Sequence, residues 1–385
     1  MHQFYTLILL VFSIANVQAQ ITVGAERTNE YLPLIKGKTV ALVVNPTSVI
    51  GKTHLVDSLK SLGVNIKVIF APEHGFRGDQ EAGAHIQSGI DKKTKLPIAS
   101  LYGNKKKPSK KDLEGVQCVI FDIQDVGARF YTYISTLHYI MEACAENKIP
   151  LIVLDRPNPN GHYVDGPILD TSFRSFVGMH PVPVVHGMTV AEYAQMINGQ
   201  KWLPKGIQCT LYPIKCIGYT HSTLYHLPIK PSPNLPTMES IYLYPSLCFF
   251  EGTDVSVGRG TDKPFEVIGR PNFAKGSYEF TPQRIAGVAE NPPYMGQKCQ
   301  GVLLTEFGRS FIPLNNRLYL VWLIDFYKEA PDKEKFFNSF FDKLAGTDQL
   351  RKQIQAGKTT MEIYQSWELP LRQYNKMRQE YLLYK

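Results

Sequence analysis

The amino-acid sequence predicts an α/β protein: a Rossmann-like parallel sheet domain followed by a mixed α+β C-terminal domain. Three observations predict it. Short apolar, β-branched runs recur at 39–45 (TVALVVN), 64–70 (VNIKVIF), 118–121 (CVIF) and 150–154 (PLIVL), the length expected of strands buried on both faces. Helical periodicity fills the intervals between them, the rhythm of βαβ units around a parallel sheet. After about Asp170 proline and glycine become frequent and that rhythm stops.

In chain order, residues 1–19 stand apart. An apolar core at 4–14 is too short to span a bilayer and leads into Val17-Gln18-Ala19, a small-x-Ala pattern that marks signal peptide cleavage before Gln20. No cysteine follows, so a lipid anchor is not expected, and no later apolar run is long enough for stable membrane insertion. The mature chain is therefore expected to be periplasmic or secreted. The strand at 39–45 precedes a helix at 54–62 that ends on Gly63, a C-cap signal. The strand at 64–70, a polar loop, a short strand at 98–102 and the strand at 118–121 follow. A long helix at 130–148 and the strand at 150–154 complete the first domain, 20–179. The second domain, 180–385, is read as a short helix at 190–197, a strand at 246–250 (SLCFF) and amphipathic helices at 318–328 and 333–344.

Composition narrows the function. With 385 residues, 44% hydrophobic and 20% charged, the chain suits two ordinary globular domains. Cys118 and Cys144 fall in apolar patterns as core residues, whereas Cys209 and Cys216 flank a β-like stretch and could pair in an oxidising compartment. The net charge of +8 is concentrated in part at 105–111 (KKKPSKK), either a solvated loop or an attraction to an anionic polymer. For an exported chain that polymer is cell wall; a nucleic acid partner is not expected. The first strand runs into Asn45-Pro46-Thr47-Ser48 and not into a G-x-G-x-x-G turn, so no dinucleotide cofactor is expected.

The chemistry gathers at strand ends, where open α/β sheets bind ligands. The second strand empties into Pro72-Glu73-His74-Gly75-Phe76-Arg77-Gly78. A half-shielded Glu73 could act as a general acid, or could pair with Arg77 to hold the loop. The third strand empties into Asp122, Gln124, Asp125 and Arg129, with Tyr131 on the next turn; Asp125 either caps the helix or orients a ligand hydroxyl. Asp155, Arg156 and Asn158 follow the fourth strand and either bind a sugar or close a Pro-rich turn. Glu251 precedes a Gly-rich loop carrying Arg259 and is the second candidate carboxylate. Two carboxyls facing across a cleft are what glycoside hydrolysis needs, one to protonate the leaving oxygen and one to attack carbon or activate water. His74, His186 and acids could alternatively ligate zinc, but no H-E-x-x-H occurs and no metal is expected. No G-x-S-x-G is present for a serine nucleophile.

Taken in order, these motifs, with His186-Gly187-Met188-Thr189, Pro231-Ser232-Pro233-Asn234-Leu235-Pro236-Thr237 and Gly258-Arg259-Gly260-Thr261, resemble the exo-β-N-acetylmuramidase family of the NamZ type over nearly the whole mature chain. The resemblance implies a Rossmann-like domain, a smaller C-terminal domain and a cleft between them. It implies release of N-acetylmuramic acid from the non-reducing end of peptidoglycan fragments, without a cofactor. Carried over, Glu73 and then Glu251 are the catalytic groups, with Glu81 ranked below both. The substrate-binding set is His74, Arg77, Asp122, Gln124, Asp125, Arg129, Tyr131, Asp155, Arg156, Asn158 and Arg259. Among these, Arg77, Arg129 and Arg259 are the candidates for the lactyl carboxylate of muramic acid, which suits a bidentate guanidinium. The rival reading is a non-catalytic periplasmic glycan-binding protein with the same cleft.

Overall fold

A computed structural model describes residues 21–73, 75–77 and 89–384. The expected signal peptide at 1–19, His74 and Glu81 lie outside the described residues.

The first strand shows why the apolar runs are unbroken. In β1 (Thr39–Val44), Val40, Leu42 and Val44 pack into one core with Tyr31, Leu55 and Leu59. Ala41 and Val43 pack into another with Phe70, Phe121 and Leu137. A strand buried on both faces is apolar at every position instead of alternating. β2 (Val49–Ile50) and β3 (Thr53–His54) form a small antiparallel ribbon beside it. β4 (Asn65–Ala71), β5 (Gly89–Ile90), β6 (Pro97–Ser100), β7 (Cys118–Asp122), β8 (Leu151–Leu154) and β9 (Leu211–Ile214) join β1 in a seven-stranded sheet, in the order β5-β6-β4-β1-β7-β8-β9. All neighbours are parallel except β5 with β6. From β1 the chain winds out through β4 to β6, then returns to β7 and winds the other way. The crevice beyond the carboxyl ends of β1 and β7 is the switch point at which such sheets bind ligands.

The helix Val190–Gly199 carries the chain from β8 to β9, so the βαβ rhythm continues past residue 180, where the sequence places the second domain. β9 falls in the β-like stretch between Cys209 and Cys216 and is a partly exposed edge strand containing Pro213, which only an edge tolerates. Cys209 and Cys216 sit at its two ends, and both are unpaired, buried thiols. The expected strand at 246–250 is helical: Met238–Leu247 is an α-helix and Cys248–Gly252 a 3₁₀ turn. Residues 240–247 of that helix are all buried, so it has no polar face to reveal a helical period. The other helices are shorter than expected, Tyr133–Glu146, Val321–Lys328 and Phe341–Ala345. β10 (Val267–Arg270), β11 (Tyr278–Phe280) and β12 (Cys299–Leu303) form an antiparallel sheet in the order β10-β12-β11. The helix Thr360–Arg378, capped by Thr359 and Glu362, then leads back to the first domain. No helix among the described residues is long and apolar enough to cross a membrane.

Arg129 fastens the two parts together. Its fully buried guanidinium donates through Nη1 to the carbonyls of Pro167 and Val182 (2.8 and 2.7 Å) and through Nη2 to those of Leu344 and Ala345 (3.0 and 2.6 Å). The last two end the helix Phe341–Ala345, the negative pole of its dipole. Gly346 follows at φ 71°, and a Cβ there would stand 2.7 Å from Nη2. Arg129→Met keeps the stem but removes the guanidinium from all four carbonyls, of which Val182 keeps the Leu169 amide, at about 1–3 kcal/mol for each left buried and unpaired. The variant is expected to unfold several degrees below the native protein. A thermal midpoint within about one degree would show that the guanidinium is dispensable.

Candidate active site

Glu73 sits on a turn anchored at both ends. β4 stops at Ala71, and the amide of Gly75, at φ 72°, closes onto the Pro72 carbonyl at 3.2 Å. Phe76 is buried edge-on to His54, with ring centroids 5.5 Å apart. Arg77 is gripped by Asp57 (2.8 and 3.0 Å) and by Asp91 (both bonds 2.9 Å). Its hydrogen bonds hold the Asp57 carboxyl down at about 2, against burial. Burial opposes ionisation of Asp91 too, yet bonds from Arg77 and Thr94 keep that carboxyl well below the usual range. Arg77 thus pairs with two aspartates and leaves Glu73 free of it. Glu73 hydrogen-bonds Tyr102, whose phenol is raised first by the Glu73 charge, then by burial and by their hydrogen bond.

Glu251 comes from the other domain, on the 3₁₀ turn that ends the buried helix. Arg259 meets it at 2.5 Å through Nε and lies over the Phe265 ring, 5.1 Å from its centroid. Gly258 and Gly260, at φ 76° and 82°, make the turn that aims Arg259 inward. The Glu251 charge and hydrogen bond raise the guanidinium above its ordinary value despite burial.

Both glutamates line one cavity of about 430 Å³. Its wall is aromatic: Tyr131 meets Tyr133 and Tyr244 edge to face at 5.1 and 5.8 Å, and Tyr244 meets Phe265 at 5.0 Å. The Tyr131 hydroxyl is tied to the Pro231 carbonyl at 2.7 Å, which brings Ser232 and Asn234 to the cavity. Asn234 donates Nδ2 to the Val288 carbonyl at 3.0 Å, and its buried Oδ1 has no partner.

Of the residues singled out from sequence, Glu73, Glu251, Tyr131 and Arg259 meet in this cavity. The others named as substrate-binding, apart from His74 outside the described residues, are engaged inside the protein. Arg156 and Asp122 form a buried ion pair at 2.6 and 2.9 Å, and Arg156 also holds the Val49 carbonyl. Gln124 bridges the carbonyls of Asp125 and Pro157. Asn158 bonds the Met188 carbonyl and the Asn160 amide. Asp155 accepts from Thr189, Ala191 and Tyr384. With Arg77 and Arg129, these side chains build the loops that the site stands on and do not line the cavity. Burial explains the difference: a strand-end polar residue with no route to solvent must be satisfied internally. Sequence reasoning missed Tyr102, Ser232, Asn234 and Tyr244. The signal for Ser232 and Asn234 was the Pro-rich motif at 231–237, quoted for the resemblance but given no role.

Comparison with known proteins finds relatives over nearly the whole chain. The family model described as exo-beta-N-acetylmuramidase NamZ, N-terminal, matches residues 40–239, and the C-terminal model of the same name matches 242–384. The peptidoglycan beta-N-acetylmuramidase NamZ of Bacillus subtilis (strain 168) is 41% identical over 376 residues, covering 92% of this chain and 89% of the relative. A DUF1343 family protein from Bacteroides fragilis NCTC 9343 is 46% identical and superposes with a TM-score of 0.89, over 95% of this chain and 99% of that one. A second from the same organism, 28% identical, gives 0.78 over the same shares.

Beneath the cavity floor, Asp125 and His186 lie 3.9 Å apart and wholly buried, and each is driven toward its neutral form. Burial raises the Asp125 carboxyl to about 7, against the Gly127 and Val126 amides that favour its charge. Burial, with the Arg378 and Arg129 charges, lowers the His186 imidazole to about 3. The fold therefore keeps a proton on Asp125 between about 3.8 and about 7, where the unfolded chain has lost it. This contribution to stability is full at low pH and is lost as pH rises through about 7. The native protein's advantage in thermal midpoint over Asp125→Asn is expected to shrink between about pH 5 and about pH 8. An advantage that grows over that window would mean that Asp125 is ionised in the fold.

Proposed function

This chain belongs to the NamZ family of exo-β-N-acetylmuramidases, and from that premise we propose that Glu73 and Glu251 are its catalytic pair. The chain is a glycoside hydrolase that releases N-acetylmuramic acid from the non-reducing end of peptidoglycan fragments. The rival reading, a glycan binder without catalysis, gives way because both halves match the enzyme family. One observation carries the catalytic pairing: Glu73 and Glu251, one from each domain, line the same cavity with opposite partners, while Glu290, the third carboxyl on its wall, is tied to Arg284 and the Gly287 amide. Glu251 is bound to a guanidinium, the environment of a group that works as an anion. Glu73 faces the Tyr102 phenol and is free of Arg77, and we assign it to protonate the departing glycosidic oxygen. Glu73 is thus the general acid, and Glu251 the carboxylate that attacks the anomeric carbon or activates water.

The remaining lining suits muramic acid. The unpartnered Oδ1 of Asn234 is an acceptor for the acetamido N–H. Arg259, alone of the three candidate arginines, reaches the cavity and can meet the lactyl carboxylate. The edges and faces of Tyr131, Tyr244 and Phe265 give the sugar ring an apolar surface.

Glu73→Gln preserves shape and removes the transferable proton, so turnover of an unactivated muramyl disaccharide is expected to fall by roughly 10²–10⁴ with little change in ligand affinity. A nitrophenyl muramide, whose leaving group needs less protonation, should lose much less. Glu251→Gln should depress both substrates alike. Equal losses on both substrates in Glu73→Gln would remove it as the acid.

We further propose that residues 1–19 are an export signal and that the mature enzyme works in the periplasm or outside the cell, where its substrate is. The apolar segment and the Val17-Gln18-Ala19 pattern support this. Mass spectrometry of the protein from its native cells should find an N-terminus at Gln20. An intact Met1 in the cytoplasmic fraction would refute export.

A further inference from the structure

The cavity holding the two glutamates continues past Glu73. Glu73, Tyr102 and Thr132 also line a second cavity of about 320 Å³, bounded beyond them by Lys106, Phe176 and Val177. Lys106 comes from the lysine-rich loop at 105–111, and its neighbours there are neutralised. Lys105 pairs with Asp112 at 2.8 Å, and Lys107 with Glu142 and Glu146 at 2.7 and 3.0 Å. No carboxylate among the described residues pairs with Lys106. Its Nζ lies over the Phe176 ring, 4.0 Å from the centroid, with Tyr139 stacked against Phe176 at 6.3 Å. A cation–π contact fixes an ammonium in place without cancelling its charge. The wall of the second cavity therefore carries a positioned cation that no carboxylate among the described residues pairs with.

Resting on the reading of Glu73 as the acid, we propose that this second cavity is the leaving-group subsite and that Lys106 recognises a carboxylate carried by the departing glycan. The oxygen that Glu73 protonates joins two sugars, so the acid stands on the boundary between their subsites. Glu251 and Arg259 mark the side of the first cavity as that of the sugar attacked at its anomeric carbon. The side beyond Glu73 then receives what leaves. In peptidoglycan the departing sugar is neutral, and the next carboxylate belongs to the following muramic acid, as its lactyl group or its peptide stem. A lysine stem has the length and freedom to reach a charge one sugar away.

The test uses the full enzyme with Lys106→Met and Lys106→Arg. Four substrates are compared: a nitrophenyl muramide, the disaccharide with a neutral departing sugar, and a muramic-acid-ended trisaccharide with and without a peptide stem. Lys106→Met is expected to raise KM on the trisaccharides roughly ten-fold or more at nearly constant kcat, because the contact is equal in ground and transition states. The nitrophenyl muramide and the disaccharide should be unaffected, and Lys106→Arg should retain native behaviour. The stem is joined through the lactyl carboxyl as an amide, so a loss only on the stemless trisaccharide assigns the carboxylate to the lactyl group, a loss only with the stem assigns it to the peptide, and a loss on both means that Lys106 takes whichever carboxylate is present. An equal loss on the nitrophenyl muramide, or no change on any substrate, overturns the subsite. A native enzyme inactive on every muramide would remove the premise instead, a failure visible before any variant is made.

Discussion

The buried guanidinium of Arg129 is the constraint on which the site depends. It stands immediately before Phe130, Tyr131, Thr132 and Tyr133, all of which line the catalytic cavity. Its four carbonyl partners lie on segments from both parts of the chain, after β8 and at the end of the helix Phe341–Ala345. Glu73 rides on the sheet and Glu251 on the C-terminal part, so their facing one another depends on how these parts dock. A cation held by fixed backbone dipoles does this with direction, since each N–H must meet its own carbonyl. Apolar contact would hold the parts together without fixing their register.

The chain end repeats the arrangement on the loops after β8. Tyr374 reaches the His186 carbonyl at 2.8 Å, Arg378 the Gly187 carbonyl at 2.7 Å, and Tyr384 the Asp155 carboxylate at 2.6 Å. Those partners lie on the loop after β8 and on the turn leading to the helix Val190–Gly199. The polar residues at the strand ends are therefore mostly the framework that receives the C-terminal part, and the reacting groups stand above them.

This division explains what was legible in the sequence. Unbroken apolar strands betray burial on both faces, so β1, β4, β7 and β8 were visible, and with them the strand-end location of Glu73. The all-buried helix Met238–Leu247 was not, because it lacks a polar face, and the edge strand β9 showed only as a β-like stretch between Cys209 and Cys216. Among the site residues, composition marks Glu73 and Arg77 alike, four positions apart on one turn. Asp57 on a neighbouring helix and Asp91 after β5 decide that Arg77 is a clamp and that Glu73 is free. Asp122 and Arg156 likewise form a pair 34 residues apart, and each taken alone reads as a ligand contact. The sequence lists the charged groups; only the pairing across distant segments says which of them remain for a substrate.

The two carboxyls differ by the same rule, and the proposed division of roles follows from that difference. Burying a charge requires a partner, and Arg259 gives Glu251 one that is itself steadied over Phe265. Glu73 has no guanidinium, because the arginine nearest in sequence is held by two aspartates. Its placement at the boundary of two cavities completes the asymmetry. A glycosidic oxygen belongs to both of the sugars it joins, so the group that protonates it must be reachable from both subsites. A carboxylate that stabilises or attacks the anomeric carbon need face only one. Glu251 lines the first cavity alone and Glu73 lines both, which is the geometry that an acid and its partner require.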